Sequence, residues 1–426
     1  MTRFEKTLGF MGRLLFLAAL FSLSTLPALA LQESQKSQLP EGSELEDPPA
    51  KQKPGRRRVF VWDDGLFLNI PFKGLKLRVE SLIQNDTAGF STGTLGPLEL
   101  EDGVQWRRAS LSTHTTFPRL HLEFKFHYDF SANSPRLKDA YVGLIGLRRE
   151  IFQVRAGRYK TPIGLENWTG TGNLTFLERG LISAFLSSRN SGILLHGDSS
   201  KPRIRWAFSV FQPENDFGDT STDTIGISGR FTSAFLVKPD VLTHLGFDYL
   251  HRNVKDTLRF QERPESHLAP AFVDTGDFPA DSVETFILEG AVVKGPLSFQ
   301  AEYAYTAVRD DDLPGAVKFN GFYVFGSYFL TGETRPYLQD GRFGAITPLR
   351  ELGGGSNGYG AFEIAFRASH LDLSDKGVQG GVLNDLTAAF NWYPTKLFRV
   401  MFNTIRAKRK GSGTAWIFQV RLQVAI

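Results

Sequence analysis

Hydrophobic and polar residues alternate along this chain with period two. The clearest instance is residues 120–130. Leu120, Leu122, Phe124, Phe126, Tyr128 and Phe130 share one parity; His121, Glu123, Lys125, His127 and Asp129 share the other. Side chains alternate across an extended strand, so one face of this stretch is apolar and the other strongly polar. At roughly 3.3 Å per residue it is about 36 Å long, and tilted by about 40° it covers the ~25 Å apolar band of a membrane barrel. A sandwich strand with its aromatic face in a soluble core would alternate in the same way. Recurrence and the end of the chain separate the two readings.

The pattern recurs. Clean runs lie at 75–84, 120–130, 203–211, 224–231, 244–252, 297–305, 360–371 and 415–426. Weaker ones lie at 104–115, 137–144, 150–159, 191–197, 283–293, 319–331, 383–393 and 396–407. They amount to about sixteen, an even number within the range of single-chain outer-membrane barrels. No helical period persists beyond about ten residues after Ala30, and no apolar run there approaches the ~18 residues of a spanning helix. Short connections near 117, 146–149, 198–201, 294 and 394 alternate with longer ones at 85–103, 160–190 and 253–282. That rhythm belongs to a barrel with short periplasmic turns and longer external loops. Residues 332–357 break it, being long on the short-turn side.

The last strand supports closure. Trp416, Phe418, Val420, Leu422, Val424 and Ile426 alternate with polar or small residues to the final position. A barrel ends in this way because its last strand pairs with its first and leaves no edge. The expected seam is 415–426 against 75–84. The expected fold is an all-β transmembrane antiparallel barrel of about sixteen strands with infolded loops.

The first thirty residues read as a signal peptide. Arg3, Lys6 and Arg13 precede an apolar run at 14–26, and Ala28-Leu29-Ala30 offers small residues for cleavage near Ala30. Residues 31–58 are polar and Pro-broken and read as a flexible periplasmic leader, which leaves 59–426 for the barrel. The chain has no Cys, hence no disulfide, thiol nucleophile or thiolate metal site. Phe is used 37 times and Gly 42 times, as suits strands and turns. The net charge of +4 is too small to indicate nucleic acid as a partner.

Placement of charge says more than its sum. With the apolar parity outward, Lys76, Arg78, Lys125, Arg155, Arg203, Arg205, Arg230, Arg252, Arg367, Arg399 and Arg421 face the lumen. The inward acids are fewer: Glu80, Glu123, Asp129, Asp139, Asp248, Glu302 and Glu363. Guanidinium groups stay charged and offer a planar fork to oxyanions, and rings of Arg or Lys select anions. The stretch 160–190 is too apolar to stand in water, with Leu165, Trp168, Leu174, Phe176, Leu177, Leu181, Ile182 and Phe185 in need of cover. The barrel interior is the nearest shelter, for this loop and more weakly for 259–278.

Several stretches carry a family resemblance. They are WRRAS at 106–110, FKFHYDF at 124–130 and LKDAYVGL at 137–144, then GRYKTPIGLENWT at 157–169, LTFLERGL at 174–181 and RNSGILLHG at 189–197. RPESHLAPAFVDTG at 263–276, GFYVFGSYFLTGETRPY at 321–337 and NDLTAAFNWYP at 384–394 complete the set. The chain resembles the phosphate-selective porins O and P. The resemblance implies a trimeric sixteen-stranded barrel in the outer membrane of a Gram-negative bacterium, passing inorganic anions such as phosphate without a cofactor. It also implies infolded third and fifth external loops and an infolded long turn at 332–357. Its anion path falls on the paired Arg107 and Arg108, on Lys160 as the constriction lysine, and on Asp139 as the acid beside it. Arg252, Arg259 and Arg263 are candidates for an arginine ladder; Lys125 and Arg155 join the path by their inward parity. The long turn carries Arg335, Arg342 and Arg350 where such porins concentrate lysines, so a broader anion channel remains the alternative to a phosphate channel. A barrel enzyme lacks support, since there is no G-x-S-x-G or H-E-x-x-H and the eight His are scattered. An adhesin would need neither a basic lumen nor an apolar inward loop.

Overall fold

The structure, a computed structural model, describes residues 60–62, 66–70, 74–92, 98–131, 136–147, 152–186, 188–200, 203–213, 224–238, 241–311, 315–353 and 357–426. The signal peptide and leader readings lie outside them.

Sixteen long strands form the wall. They are β1 Leu75–Thr92, β2 Gly103–Phe117, β3 Leu122–Asp129, β4 Arg136–Leu147, β5 Phe152–Lys160, β6 Arg189–Ser200, β7 Arg203–Gln212 and β8 Gly226–Lys238. The second half comprises β9 Val241–Asn253, β10 Ser282–Lys294, β11 Leu297–Arg309, β12 Val317–Phe329, β13 Ala361–Asp375, β14 Val378–Tyr393, β15 Phe398–Arg409 and β16 Gly413–Ala425. Each pairs antiparallel with its chain neighbours, and β16 pairs with β1, closing the barrel. The alternation is the cause: Phe124, Phe126, Phe231, Phe247, Phe366 and Trp416 stand exposed on the outer face, while the opposite parity is buried. Aromatic side chains stack at the short-turn end, as with Phe362, Phe390 and Trp392.

The seam differs from the expected one. β16 pairs with β1 over Leu82–Thr92, with Ala425 opposite Leu82 and Ala415 opposite Thr92. The strand therefore runs eight residues past Gln84. Its continuation was hidden because Asn85, Thr87 and Gly89 break the apolar parity, while Gln84, Asp86, Ala88 and Phe90 continue the buried one. The lower part of the same edge, Leu75–Val79, pairs with Leu66–Ile70, which in turn pairs with Phe60–Trp62. Residues 118–120 form a 3-10 turn, so the strand at 120–130 begins only at Leu122.

Tight turns join strands at one end, as at Gly295, whose φ of +53° suits glycine. Longer connections lie at the other end, which is therefore external. Two of these, 161–188 and 254–281, fold into the barrel. Phe176, Leu181, Ile182 and Phe185 of the first join Phe260, Phe272 and Phe278 of the second in one apolar cluster against Phe319 and Phe325 of the wall. Phe185 meets Phe260 edge to face at 5.4 Å. The long turn 330–360 enters from the opposite end: Trp168 Nε1 donates to the Asp340 carbonyl at 3.0 Å and Phe343 N to Thr169 Oγ1 at 3.4 Å.

Candidate functional site

Two β-bulges set the charge pattern of the lumen. In β2, Gln84 faces Arg108 and Asn85 faces Trp106, which leaves Arg107 as an extra residue. A bulge resets the alternation, so neighbours in sequence point to the same side. Arg107 and Arg108 both turn inward, while Trp106 and Leu111 stay on the outer face. In β4 the same device falls on Lys138, between Leu137 opposite Tyr128 and Asp139 opposite His127. Lys138 and Asp139 both face the lumen, with Lys138 Nζ 4.0 Å from Asp129.

The loop 161–188 is fastened on one side of the barrel by arginines. Arg421 of β16 donates to both oxygens of Asp86 at 2.6 Å and to Glu178 of the loop at 2.7 Å. Arg399 donates to the carbonyls of Leu174 and Thr175 at 2.6 and 3.2 Å. Arg367 reaches Glu166 Oε1 at 3.2 Å and the Glu178 carbonyl at 3.0 Å, and its guanidinium lies 4.2 Å over the Phe176 ring. Carboxylates hold the start of the loop. Glu302 accepts from the N–H groups of Leu165 and Glu166 at 2.7 and 2.9 Å, and Asp248 from Gly164 N at 2.5 Å. Burial alone would raise the Glu178 pKa, but Arg107, Arg421 and Arg108 hold it well below the usual carboxylate range. These arginines of β13, β15 and β16 are committed to anchoring and are closed off from the lumen solvent.

The second infolded loop is held through Glu265, which accepts from Arg367 Nη2 at 2.6 Å, Ser369 Oγ at 2.5 Å and Thr387 Oγ1 at 2.6 Å. The two loops touch where Ser183 Oγ donates to Glu262 Oε2 at 2.8 Å. Between them lies a cavity of about 360 Å³, lined by Arg107, Arg179, Arg263 and His267 together with Glu178, Glu262 and Glu265.

The wall of β3–β6 stays open, and its ion pairs share one orientation. Lys125 lies 3.4 Å and Arg189 2.8 Å from Asp139, Arg155 lies 2.7 Å from Glu123, and Lys138 pairs with Asp129. The acids are 5%, 3% and 9% exposed, whereas Lys125, Lys138, Arg155 and Arg189 are 28%, 25%, 21% and 16% exposed. The cations cover the acids. A solute in the lumen therefore meets positive charge. Lys160, the last residue of β5, donates to the Thr169 carbonyl at 3.2 Å, and Arg179 donates to the carbonyls of Glu166 and Asn167. Neither has a carboxylate within salt-bridge distance among the described residues. The charged neighbours of Lys160 are Arg179, Arg189 and Arg342, with Asp139 beyond them.

The sequence-derived residues thus fall into separate groups. Arg107 and Arg108 lie at Glu178 of the first infolded loop, while Lys125, Asp139, Arg155 and Lys160 lie along β3–β5. Arg263 borders the cavity between the loops, bonded to the Ala269 carbonyl at 3.0 Å, and Arg259 stands on the exposed outer side of its loop, paired with Asp274. Arg252 faces inward from β9, and its Nε has no hydrogen-bond partner among the described residues. Sequence reasoning missed Arg179, Arg189 and Lys138. Arg179 lies in the apolar loop and Arg189 just after it, visible as the only arginines of LERG and SRN; Lys138 needed the bulge. In the long turn, Arg335 is buried 3.7 Å over the Phe343 ring and bonded to Gln300, so it offers no open charge, while Arg342 pairs with Asp340 at 2.7 Å.

Comparisons with known proteins agree with this architecture. Porin O of Pseudomonas aeruginosa is 23% identical over 348 residues, covering 72% of this chain and 77% of that protein. A protein of Caulobacter vibrioides is 28% identical over 296 residues, 66% of this chain; the match spans only 58% of that longer relative. Among solved structures, OprB of Pseudomonas putida superposes with a TM-score of 0.55 at 9% identity, over 82% of this chain and 94% of that one. An anion-selective porin from Comamonas acidovorans gives 0.51 at 12% identity, over 83% and 100%. The trimer form of Vibrio cholerae OmpT gives 0.51 at 9%, over 83% and 99%. The family model described as phosphate-selective porin O and P matches residues 77–426. That match runs from the first strand through both infolded loops to the last residue, and the chain belongs to this family of outer-membrane porins.

Proposed function

We propose that the barrel conducts inorganic anions by passive diffusion, with phosphate-type oxyanions favoured over chloride. The observation that carries this reading is the orientation of the ion pairs on β3–β6, each with its cation over its acid. Lys160 and Arg179, hydrogen-bonded to carbonyl oxygens of the first infolded loop, stand beside this wall. In a confined lumen of effective dielectric near 20, unit charges ~4 Å apart interact by about 4 kcal/mol, several times the value in water. The guanidinium forks of Arg155, Arg179 and Arg189 match the geometry of an oxyanion better than a spherical halide. Conduction also needs release, and the buried Asp139 and Glu123 weaken the hold of the cations above them. A homotrimer is the assembly proposed, by likeness to the family. The test is a planar-bilayer measurement on purified protein. A salt-gradient reversal potential is expected to show anion preference, and added phosphate to reduce chloride current. Cation preference overturns the reading, and chloride current indifferent to phosphate reduces it to a general anion channel.

A further inference from the structure

The outer face of β11–β16 carries a cleft that the lumen chemistry does not use. Its base is one row of ladder partners: Phe299 opposite Gly326, Gly326 opposite Phe366, Phe366 opposite Ala388, and Ala388 opposite Thr404. Large and small residues alternate along the row, so troughs form between exposed rings. At Gly326 a Cβ would meet the Phe299 ring at 3.0 Å, so any larger residue would push that ring aside and narrow the trough. The open volume is about 540 Å³.

One row nearer the external loops, Leu386 stands opposite Arg406 and Arg406 opposite Trp416. Arg406 shares the outward parity of Phe398 and Phe402, while Ile405 and Ala407 are buried on the other side. It is a cation on the lipid-facing wall, and among the described residues nothing pairs with it. Lys408, one row farther out on the same face, has no partner either. Beside Lys408 the face turns polar, with His370 and Asn384 hydrogen-bonded at 2.8 Å. Arg406 is four residues from the external turn at Lys410, about 10 Å down a tilted wall. A cation facing lipid is costly at the midplane but nearly free of cost near the interface, and an arginine stem of this length can raise its head to that level.

We propose that this cleft binds a phosphorylated lipid of the external leaflet. The acyl chain lies in the trough between Phe299 and Phe366, and the phosphate is held by Arg406 and Lys408. The match is one of charge and shape together. A tail alone leaves the guanidinium unanswered, and a second barrel pressed against this face would bury it among apolar groups. A zwitterionic lipid brings its own cation beside the phosphate and gains less.

Trp416, next to Arg406, gives the readout. The full-length protein in neutral detergent is titrated with an anionic-headgroup lipid and a zwitterionic lipid, both with brominated acyl chains that quench indole fluorescence. Quenching absent from Trp416→Phe is the cleft signal. The anionic lipid is expected to reach half-quenching at a concentration about fivefold lower per engaged cation. Arg406→Gln should remove the headgroup preference, and Ala388→Leu should weaken both lipids by filling the trough. Equal quenching by the two lipids, or a preference that survives Arg406→Gln, overturns the proposal. Displacement of the lipid by inorganic phosphate at the same concentration also overturns it, since the tail would then contribute nothing. A changed oligomeric state in Ala388→Leu with lipid preference intact would make the face a contact between copies and equally refute it.

Discussion

Arg421 Nη2 and Glu178 Oε1 lie 2.7 Å apart although 243 residues separate them in the chain. One belongs to the strand that seals the wall, the other to the loop that narrows the lumen. Arg107 donates to both oxygens of the same carboxylate, at 2.8 and 3.0 Å. Glu178→Gln would leave Arg107, Arg108 and Arg421 facing one another around a neutral amide. Removing one partner of a buried charge network costs about 3–5 kcal/mol. The strand ladder is untouched, so the barrel should still assemble and remain heat-modifiable on gels. Single-channel conductance should rise and become noisier, with anion preference kept or increased. Unchanged conductance would mean that the loop is held without this contact.

Lys160→Glu probes the narrowing itself. The residue ends β5 and its ammonium hydrogen-bonds the Thr169 carbonyl, so its exchange should leave assembly intact. Placing a carboxylate among Arg179, Arg189 and Arg342 should sharply reduce anion selectivity and the phosphate block of chloride current. If the reversal potential of the assembled variant equals that of the wild type, the constriction lies elsewhere.

Glu262 supplies a pH dependence. Burial first, then the nearby charges of Glu265 and Glu178, push its carboxyl up to about 7, against hydrogen bonds from Arg263 N–H and Ser183. Its protonated form is favoured with the loops docked. Docking is therefore fully supported below the ordinary carboxylate range and loses that support as pH rises from about 4.5 towards 7. Around pH 7 the cavity gains one negative charge. Anion preference should fall between pH 6 and 8 on the order of a few-fold, and Glu262→Gln should flatten the profile. A wild-type profile already flat across this range would exclude the mechanism.

Glu302→Ala should loosen chiefly the start of the inward loop, beside the loss of its contact with the Tyr323 hydroxyl of β12. It deprives the Leu165 and Glu166 N–H groups of their acceptor in a buried setting, which costs about 1–3 kcal/mol for each donor left unmade. Hydrogen exchange of residues 164–168 should accelerate while the amides of β11 and β12 stay protected. Uniform loss of protection across the wall would point to barrel destabilisation instead.

Much of this molecule could be read from the period of its side chains. The wall strands, their outward faces and the inward fate of the two apolar loops follow from alternation and from the cost of leaving Phe176 or Leu181 in water. What alternation cannot carry is an interruption of itself. A single extra residue at Arg107 or Lys138 turns a neighbouring pair to the same side, and that depends on the register of the partner strand. Equally hidden was the division of labour among inward arginines. Arg155 and Arg421 have the same parity and chemistry, yet one covers its acid towards the open lumen and the other is locked between Asp86 and Glu178. Only the folded position of the loop distinguishes them.

The anchors of that loop also impose an order on biogenesis. Arg367, Arg399 and Arg421 come from the last quarter of the chain, and Ile426 exchanges backbone hydrogen bonds with Ser81 at 2.8 and 2.9 Å as the ring is completed. A nascent barrel that has not received its final strands has neither a sealed circumference nor a fixed constriction. Sealing and narrowing thus both draw on the same final segment of the chain.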